Sequence, residues 1–329
     1  MRLVTYVGEG GERPAALVPD GAQDRVLDLA TVLAPDPARP GPAGTGRLTL
    51  TDVLADPDLL ARARDAVGQV REPAALPWAH DVRLAPPVRP GKILCLGYNY
   101  RGHVPDGQDP TADDPPFPDV FVKTPNTLSG PADVVTLPAV ADDVDYEGEI
   151  AVVIGRRARG VSVADAMSHV AGYALFDDVS DRAWQRRSSQ WELGKCFDGF
   201  GQLGPAVVTA DEVPDFHDLT VEVVRDGIVT VSQSTSTMVF ALPFLVHYLS
   251  QVMTLEPGDV VSTGTPQKLP AAQAAHRPLA HGDAVTIRVA GLGELTTRFA
   301  APGLGPDADE PRDHDQDQDQ DQDHEGEPA

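Results

Sequence analysis

The sequence predicts an α+β protein in which strands dominate, and three observations carry that expectation. Val and Ile cluster in short runs of strand length rather than at helical spacing. Gly- and Pro-rich turn signals separate those runs. Strands and helices follow one another without a steady βαβ beat, which argues against a doubly wound parallel sheet. The chain has 329 residues and is 41% apolar, enough for one large domain or a small domain plus a larger one. That apolar content excludes a wholly disordered chain.

In order, residues 1–85 read as a small N-terminal domain. LVTYV, AALVP and VLDLATVL fit two strands and a helix around the turn GEGGERP, residues 35–47 fit a Pro- and Gly-rich surface loop, and TDVLADPDLLARARDAVGQV fits a helix. A Pro-rich LAPPVRP closes this region, and a body over residues 86–302 follows. It opens with KILCLGYNY, a buried-strand pattern, and continues into RGHVPDGQDPTADDPPFP, either a plain loop or a lid over a site. Further strands are expected in DVFVK, DVVTLP, VDYEGEIAVVIG, AVVTA, LTVEVVRDGIVTVSQ, DVVSTGT and AVTIRVAGLGEL. Helical spacing is read in VSVADAMSHVAGYALF and FALPFLVHYLSQVM. Residues 303–329, with their alternating Asp and Gln, offer no apolar area to bury and are expected to be a disordered acidic tail.

The formal net charge is −24. Residues 307–329 hold eleven acids and one Arg, a net −10, which leaves −14 for the rest. No basic stripe suits a nucleic acid, and the acidity disfavours an anionic membrane surface. The two cysteines, Cys95 and Cys196, lie far apart without CxxC spacing, as expected for a reducing compartment. With no secretory pattern at the N-terminus and no apolar run long enough to span a bilayer, the expected location is the cytoplasm.

Four groups of residues can carry chemistry. Glu147 and Glu149 flank Gly148, so on a strand they project from one face, which continues into Ala151 and Val153. Either they are two acids on a solvated edge, or a hard divalent cation offsets their repulsion, with magnesium, manganese or calcium suited to oxygen donors. Asp178 is a candidate third ligand. Arg182 and Gln185 are read on the same helix face as Asp178, either as a clamp for a substrate carboxylate or as a capped, charged helix start. Tyr98 and His103 follow the strand KILCLGYNY, with Asp106 three residues beyond His103. The His is either a surface residue or a general base oriented by that acid. Lys123 and Lys195 sit amid apolar neighbours, where snorkelling is the commoner explanation. Thr265, in STGTP, can help bind an anion but is weak alone.

Taken together, KILCLGYNYRGH, VFVKTPNTLSGPADVVTLP, VDYEGEIAVVIG, VAGYALFDDVSDRAWQ, QWELGKCFDGFGQLGP, LSQVMTLEPGDVVSTGTP and LAHGDAVTIRVAGLGEL resemble the fumarylacetoacetate hydrolase family, in particular its short bacterial members. The resemblance implies a mixed β-sheet roll, usually a homodimer. It implies that Glu147, Glu149 and Asp178 ligate magnesium or manganese, and that His103, paired with Asp106, is a lid-borne base that activates water. Lys123, Lys195, Arg182 and Gln185 would hold the carboxylate and carbonyl oxygens of a small keto or enol acid, with Tyr98 and Thr265 completing the pocket. The expected activity is hydrolysis of a C–C bond in a β-diketo or acylpyruvate-like acid. The alternatives are a decarboxylase or isomerase of a 2-keto or 2-hydroxydienoic acid, and an inactive metal-binding scaffold. Three positions depart from the family pattern: Asp106 replaces a Glu and follows Pro105, QKLPAAQAAHRP replaces a Gly-containing loop, and Gln202 stands where Pro is common.

Overall fold

In the computed structural model, which describes residues 1–33, 47–103, 109 and 114–305, strands dominate and helices are short. The strands are β1 (Arg2–Gly8), β2 (Gly11–Asp20), β3 (Gln23–Asp28), β4 (Leu84–Ala85), β5 (Ile93–Gly97), β6 (Asp119–Lys123), β7 (Leu128–Ser129), β8 (Val134–Thr136) and β9 (Val144–Asp145). They continue with β10 (Gly148–Ile154), β11 (Val170–Asp178), β12 (Ser180–Asp181), β13 (Gly201–Thr209), β14 (Thr220–Arg225), β15 (Ile228–Ser234), β16 (Val260–Ser262), β17 (Ala284–Val289) and β18 (Gly293–Ala300). The helices are α1 (Leu29–Val32), α2 (Leu50–Ala55), α3 (Pro57–Gly68), α4 (Val163–Ala166), α5 (Arg182–Gln185), α6 (Glu192–Lys195), α7 (Leu242–Val252) and α8 (Pro270–Ala274).

One mixed sheet runs β3-β2-β1-β13-β11-β10-β16-β5-β6, with β4 added to β1 and β7 to β13. A second runs β15-β14-β17-β18-β8, and β12 pairs with β9. The β10 strand explains why the two sheets stack. Every residue in it is buried, because its even and odd positions feed different cores. Ile150, Val152 and Ile154 join Val223 and Ile287 of the second sheet and Leu245 of α7, whereas Ala151 and Val153 join Leu3, Leu29 and Val53. By contrast β14 and β17 alternate buried with more exposed residues, as expected for strands with one packed face.

Three expectations need correction. VSVADAMSHVAGYALF is helical only over α4 and a following 3-10 turn; from Val170 it is β11. Short apolar runs carry no decisive periodicity, and here the hydrogen-bond partners on β10 and β13 select the strand. The helix expected after residue 50 is two helices, α2 and α3. Pro57 opens the second and Asp56 caps it, accepting from the N–H of Asp58 at 2.8 Å, since Pro is tolerated in a first turn and not inside a helix. Residues 1–33 form three strands rather than two, β4 joins β1 at Leu84–Ala85, and β1 lies directly against β13 of the main sheet. Most of the surface loop expected over residues 35–47, nearly all of the acidic tail, and Pro105 and Asp106 lie outside the described residues. No helix among the described residues is long and apolar enough to cross a membrane.

Candidate functional site

The antiparallel register of β10 on β11 sets Gly148 opposite Asp177, and the Asp178 N–H donates to the Glu147 carbonyl at 2.9 Å. This brings the end of β11 beside the start of β10. Glu147, Glu149 and Asp178 are all buried, and each offers a carboxylate oxygen within 4.8 Å of the others. Gly148 lets the second sheet close over the opposite face: a Cβ there would lie 2.5 Å from Val223 Cγ2.

Three cations converge on this triad. Lys123, the last residue of β6, donates from Nζ to Asp178 Oδ1 at 2.6 Å, and both side chains are fully buried. Lys195, the last residue of α6, bridges Asp178 Oδ2 at 2.8 Å and Glu147 Oε2. Arg182 reaches Glu147 Oε1 through Nη1 at 2.7 Å. Neither lysine snorkels; both point inward at carboxylates. Burial works against ionisation of Glu147, but Arg182 and Lys195 outweigh it and hold the group below the usual carboxylate range. Glu149 accepts from the Ser262 hydroxyl and from the Gly264 N–H at 2.9 Å. Burial, then repulsion from Asp178 and Glu147, pushes its carboxyl well above the usual range. A hard divalent cation fits this set: the donors are oxygens, they converge, and the strain at Glu149 is the kind that a second cationic charge relieves.

His103 is carried on the turn after β5, where Tyr98 (φ 50°) and Gly102 (φ 89°) take left-handed backbone conformations. Asn99 anchors that turn, donating to the Thr263 carbonyl at 2.9 Å and accepting from the Phe240 N–H at 2.9 Å. The His103 Nδ1 lies 2.9 Å from the Thr265 carbonyl oxygen. A carbonyl only accepts, so Nδ1 carries the proton and Nε2 is left basic. Burial lowers the imidazole pKa from its usual value.

His103, Tyr98, Glu147, Glu149, Arg182, Gln185, Lys195 and Thr265 line one cavity of about 710 Å³. Lys123 and Asp178 stand behind its wall, linked to it through Lys195. Gln185 accepts from Arg182 Nη1 at 3.0 Å, and the Thr265 hydroxyl is turned away to the Gly148 carbonyl. The expected helix face shared by Asp178, Arg182 and Gln185 does not form. Asp178 ends β11, β12 intervenes, and Asp181 caps the one-turn α5 by accepting from the Trp184 N–H at 2.7 Å. Gln202 lies away from the pocket, holding the Gly130 and Asp133 carbonyls at 3.0 and 3.1 Å.

The sequence reading missed an outer ring of this cavity. Asp145 Oδ2 accepts from Arg182 Nη2 at 3.0 Å, and Asp145 Oδ1 pairs with Lys268. Asp143 pairs with Arg186 at 3.0 Å and His276 at 3.1 Å. Trp191 packs edge-on against Tyr98 and Phe121 at centroid separations of 5.7 and 5.5 Å, giving the cavity an aromatic wall. Asp145 had a visible signal, since it continues the same alternation as Glu147 and Glu149. Lys268 and His276 lie in QKLPAAQAAHRP, a segment marked as unusual in the sequence, but only folding brings that loop over the pocket.

Residues 92–300 match the family described as fumarylacetoacetate (FAA) hydrolase C-terminal. A human mitochondrial oxaloacetate tautomerase is 40% identical over 228 residues, 68% of this chain and 71% of that protein. Among solved structures, a 5-carboxymethyl-2-hydroxymuconate delta-isomerase from Mycobacterium smegmatis superposes with a TM-score of 0.69 at 32% identity, covering 92% of this chain and all of that one. A maleylpyruvate hydrolase from Sphingobium sp. SYK-6, solved with manganese(II) and pyruvate, gives 0.71 at 28% identity, covering 92% and 99%.

Proposed function

This chain belongs to the fumarylacetoacetate hydrolase family, and from that premise we propose that it is a divalent-metal-dependent enzyme that transfers a proton between the keto and enol forms of a small 2-keto carboxylic acid. The observation that carries this reading is His103, half-buried, neutral and fixed by Thr265 in the tautomer whose Nε2 accepts a proton. A cation held by Glu147, Glu149 and Asp178 would stabilise the negative oxygen of the enolate. Arg182 and Lys195 bring positive charge to the cavity and suit the carboxylate of the acid. His103 Nε2 takes the proton from the carbon next to the keto group and returns it to the oxygen, and the reverse order converts enol to ketone. Tyr98, Phe121 and Trp191 give the cavity an apolar wall suited to the carbon skeleton of the acid. The similarity to oxaloacetate tautomerases supports the same reading.

C–C bond hydrolysis is the second reading. The cavity of about 710 Å³ favours it, since that is ample for a longer acyl chain. It also needs a water held between His103 and an acid, and the expected acid, Asp106, is not among the described residues. The deciding experiment follows loss of enol-oxaloacetate and cleavage of acetylpyruvate in parallel, with magnesium or manganese and then with chelator. Metal-dependent enol loss that His103→Ala abolishes is the expected result. Metal-dependent release of acetate with no acceleration of tautomerisation would replace this reading by hydrolysis.

A further inference from the structure

Resting on that reading of the site, we infer that Lys268 selects substrates carrying a second carboxylate, so that the enzyme acts on keto diacids in preference to keto monoacids. Charge balance points there first. In and behind the cavity, the triad and its two lysines leave one net negative charge. In the outer ring, Asp143 and Asp145 face Arg182, Arg186 and Lys268, which leaves one net positive charge. With Glu149 ionised, as a cation bound to it requires, and the histidines left out of the sum, these groups cancel. A bound divalent cation therefore makes the pocket doubly positive, and a dianion matches it where a monoanion does not.

Geometry then singles out Lys268. Asp145 is shared: Arg182 occupies its Oδ2 through Nε and Nη2 at 3.2 and 3.0 Å, so it cannot fully neutralise the lysine on Oδ1. The Lys268 side chain is only 16% exposed, lines the cavity, and rests with Nζ 4.1 Å from the centre of the Tyr146 ring. An ammonium has three donors, and Asp145 takes one. Burial lowers the pKa of Lys268 in spite of Asp145, as expected of a cation short of anionic partners. Lys268 also belongs to the segment QKLPAAQAAHRP, which the sequence marks as departing from the family pattern.

The test measures binding rather than turnover. Calorimetry on the magnesium-loaded His103→Ala protein compares oxaloacetate and 2-oxoglutarate with 2-oxobutanoate, and repeats the set with Lys268→Met and Lys268→Arg added. The diacids should bind about tenfold more tightly than the monoacid. Met should abolish that preference without weakening the monoacid, and Arg should restore it. An equal preference in the Met variant, or an equal loss for all three acids, would overturn the assignment. The proton-transfer reading fails separately: if the His103-containing enzyme gives no metal-dependent enol loss while the Lys268-dependent preference persists, that reading falls and this one stands.

Discussion

The strain at this site is concentrated in single side chains. Glu149 is buried beside two other carboxylates, and its hydrogen bonds come from Ser262 and Gly264. An amide at that position removes the repulsion and one ligand together. Glu149→Gln should therefore leave the metal-free protein at least as stable as the parent. It should also lose the stabilisation a cation gives, which for a single site at a hundred times its Kd is about 2.7 kcal/mol. Thermal melts with and without magnesium check this, and an unchanged magnesium-induced rise in Tm would remove Glu149 from the ligand set. His103 makes a prediction in pH. Its pKa is lowered in the fold, and the neutral ring is the working form, so activity persists as pH falls until the lowered pKa is crossed. The acid limb of kcat/KM should lie below the usual imidazole value of about 6.5. A limb at or above that value would mean His103 is not the base. Of these residues, Glu147 and Glu149 were legible because strand alternation is a local property. The inward aim of Lys123 and Lys195 was not, since apolar neighbours along the chain say nothing about a carboxylate arriving from another strand.

At the scale of elements, β10 does two jobs: it carries Glu149, with Glu147 just before its first residue, and separates the two cores. Gly148 is where those jobs meet. In Gly148→Ala the added methyl would meet Val223 Cγ2 at 2.5 Å and Ile287 Cγ1 at 3.0 Å, so either the second sheet or the triad must shift. The expected cost is about 1–3 kcal/mol, as for other overpacked cores. Denaturant unfolding measures it, and Val223→Ala in the same chain should recover part of the loss. A neutral Gly148→Ala would show the interface is looser than its contacts imply. The β11 strand shows the limit of periodicity: AGYALF was read as helix, yet Tyr173 and Leu175 feed one core while Ala174 and Phe176 feed the other. That is the alternation of a strand buried on both faces, and only its neighbours β10 and β13 reveal it.

At the scale of the whole molecule, the N-terminal meander and the body share one sheet and one core. Leu3, Leu29, Leu50 and Val53 pack with Ile93, Val153, Ala174 and Val207. A chain beginning at residue 86 should therefore show no cooperative unfolding transition, because removing residues 1–85 exposes that face of the sheet. Calorimetry decides the point, and a sharp transition in the shortened chain would mark the body as independent. By itself the sequence determined the strand-dominated class, the family, the alternating glutamates and the inner groups of the pocket, Tyr98, His103, Arg182, Gln185, Lys195 and Thr265 among them. These rest on local periodicity and on motifs read in order along the chain. Tertiary structure alone decided that Asp178 reaches the glutamates from the end of β11 rather than from a helix, that three cations balance the triad, and that Asp143, Asp145, Lys268 and His276 form an outer ring. Those contacts join β9, β10, β11, α5, α6 and the loop around α8, and charge pairing across such separations is set by strand register and sheet stacking, which no local pattern encodes.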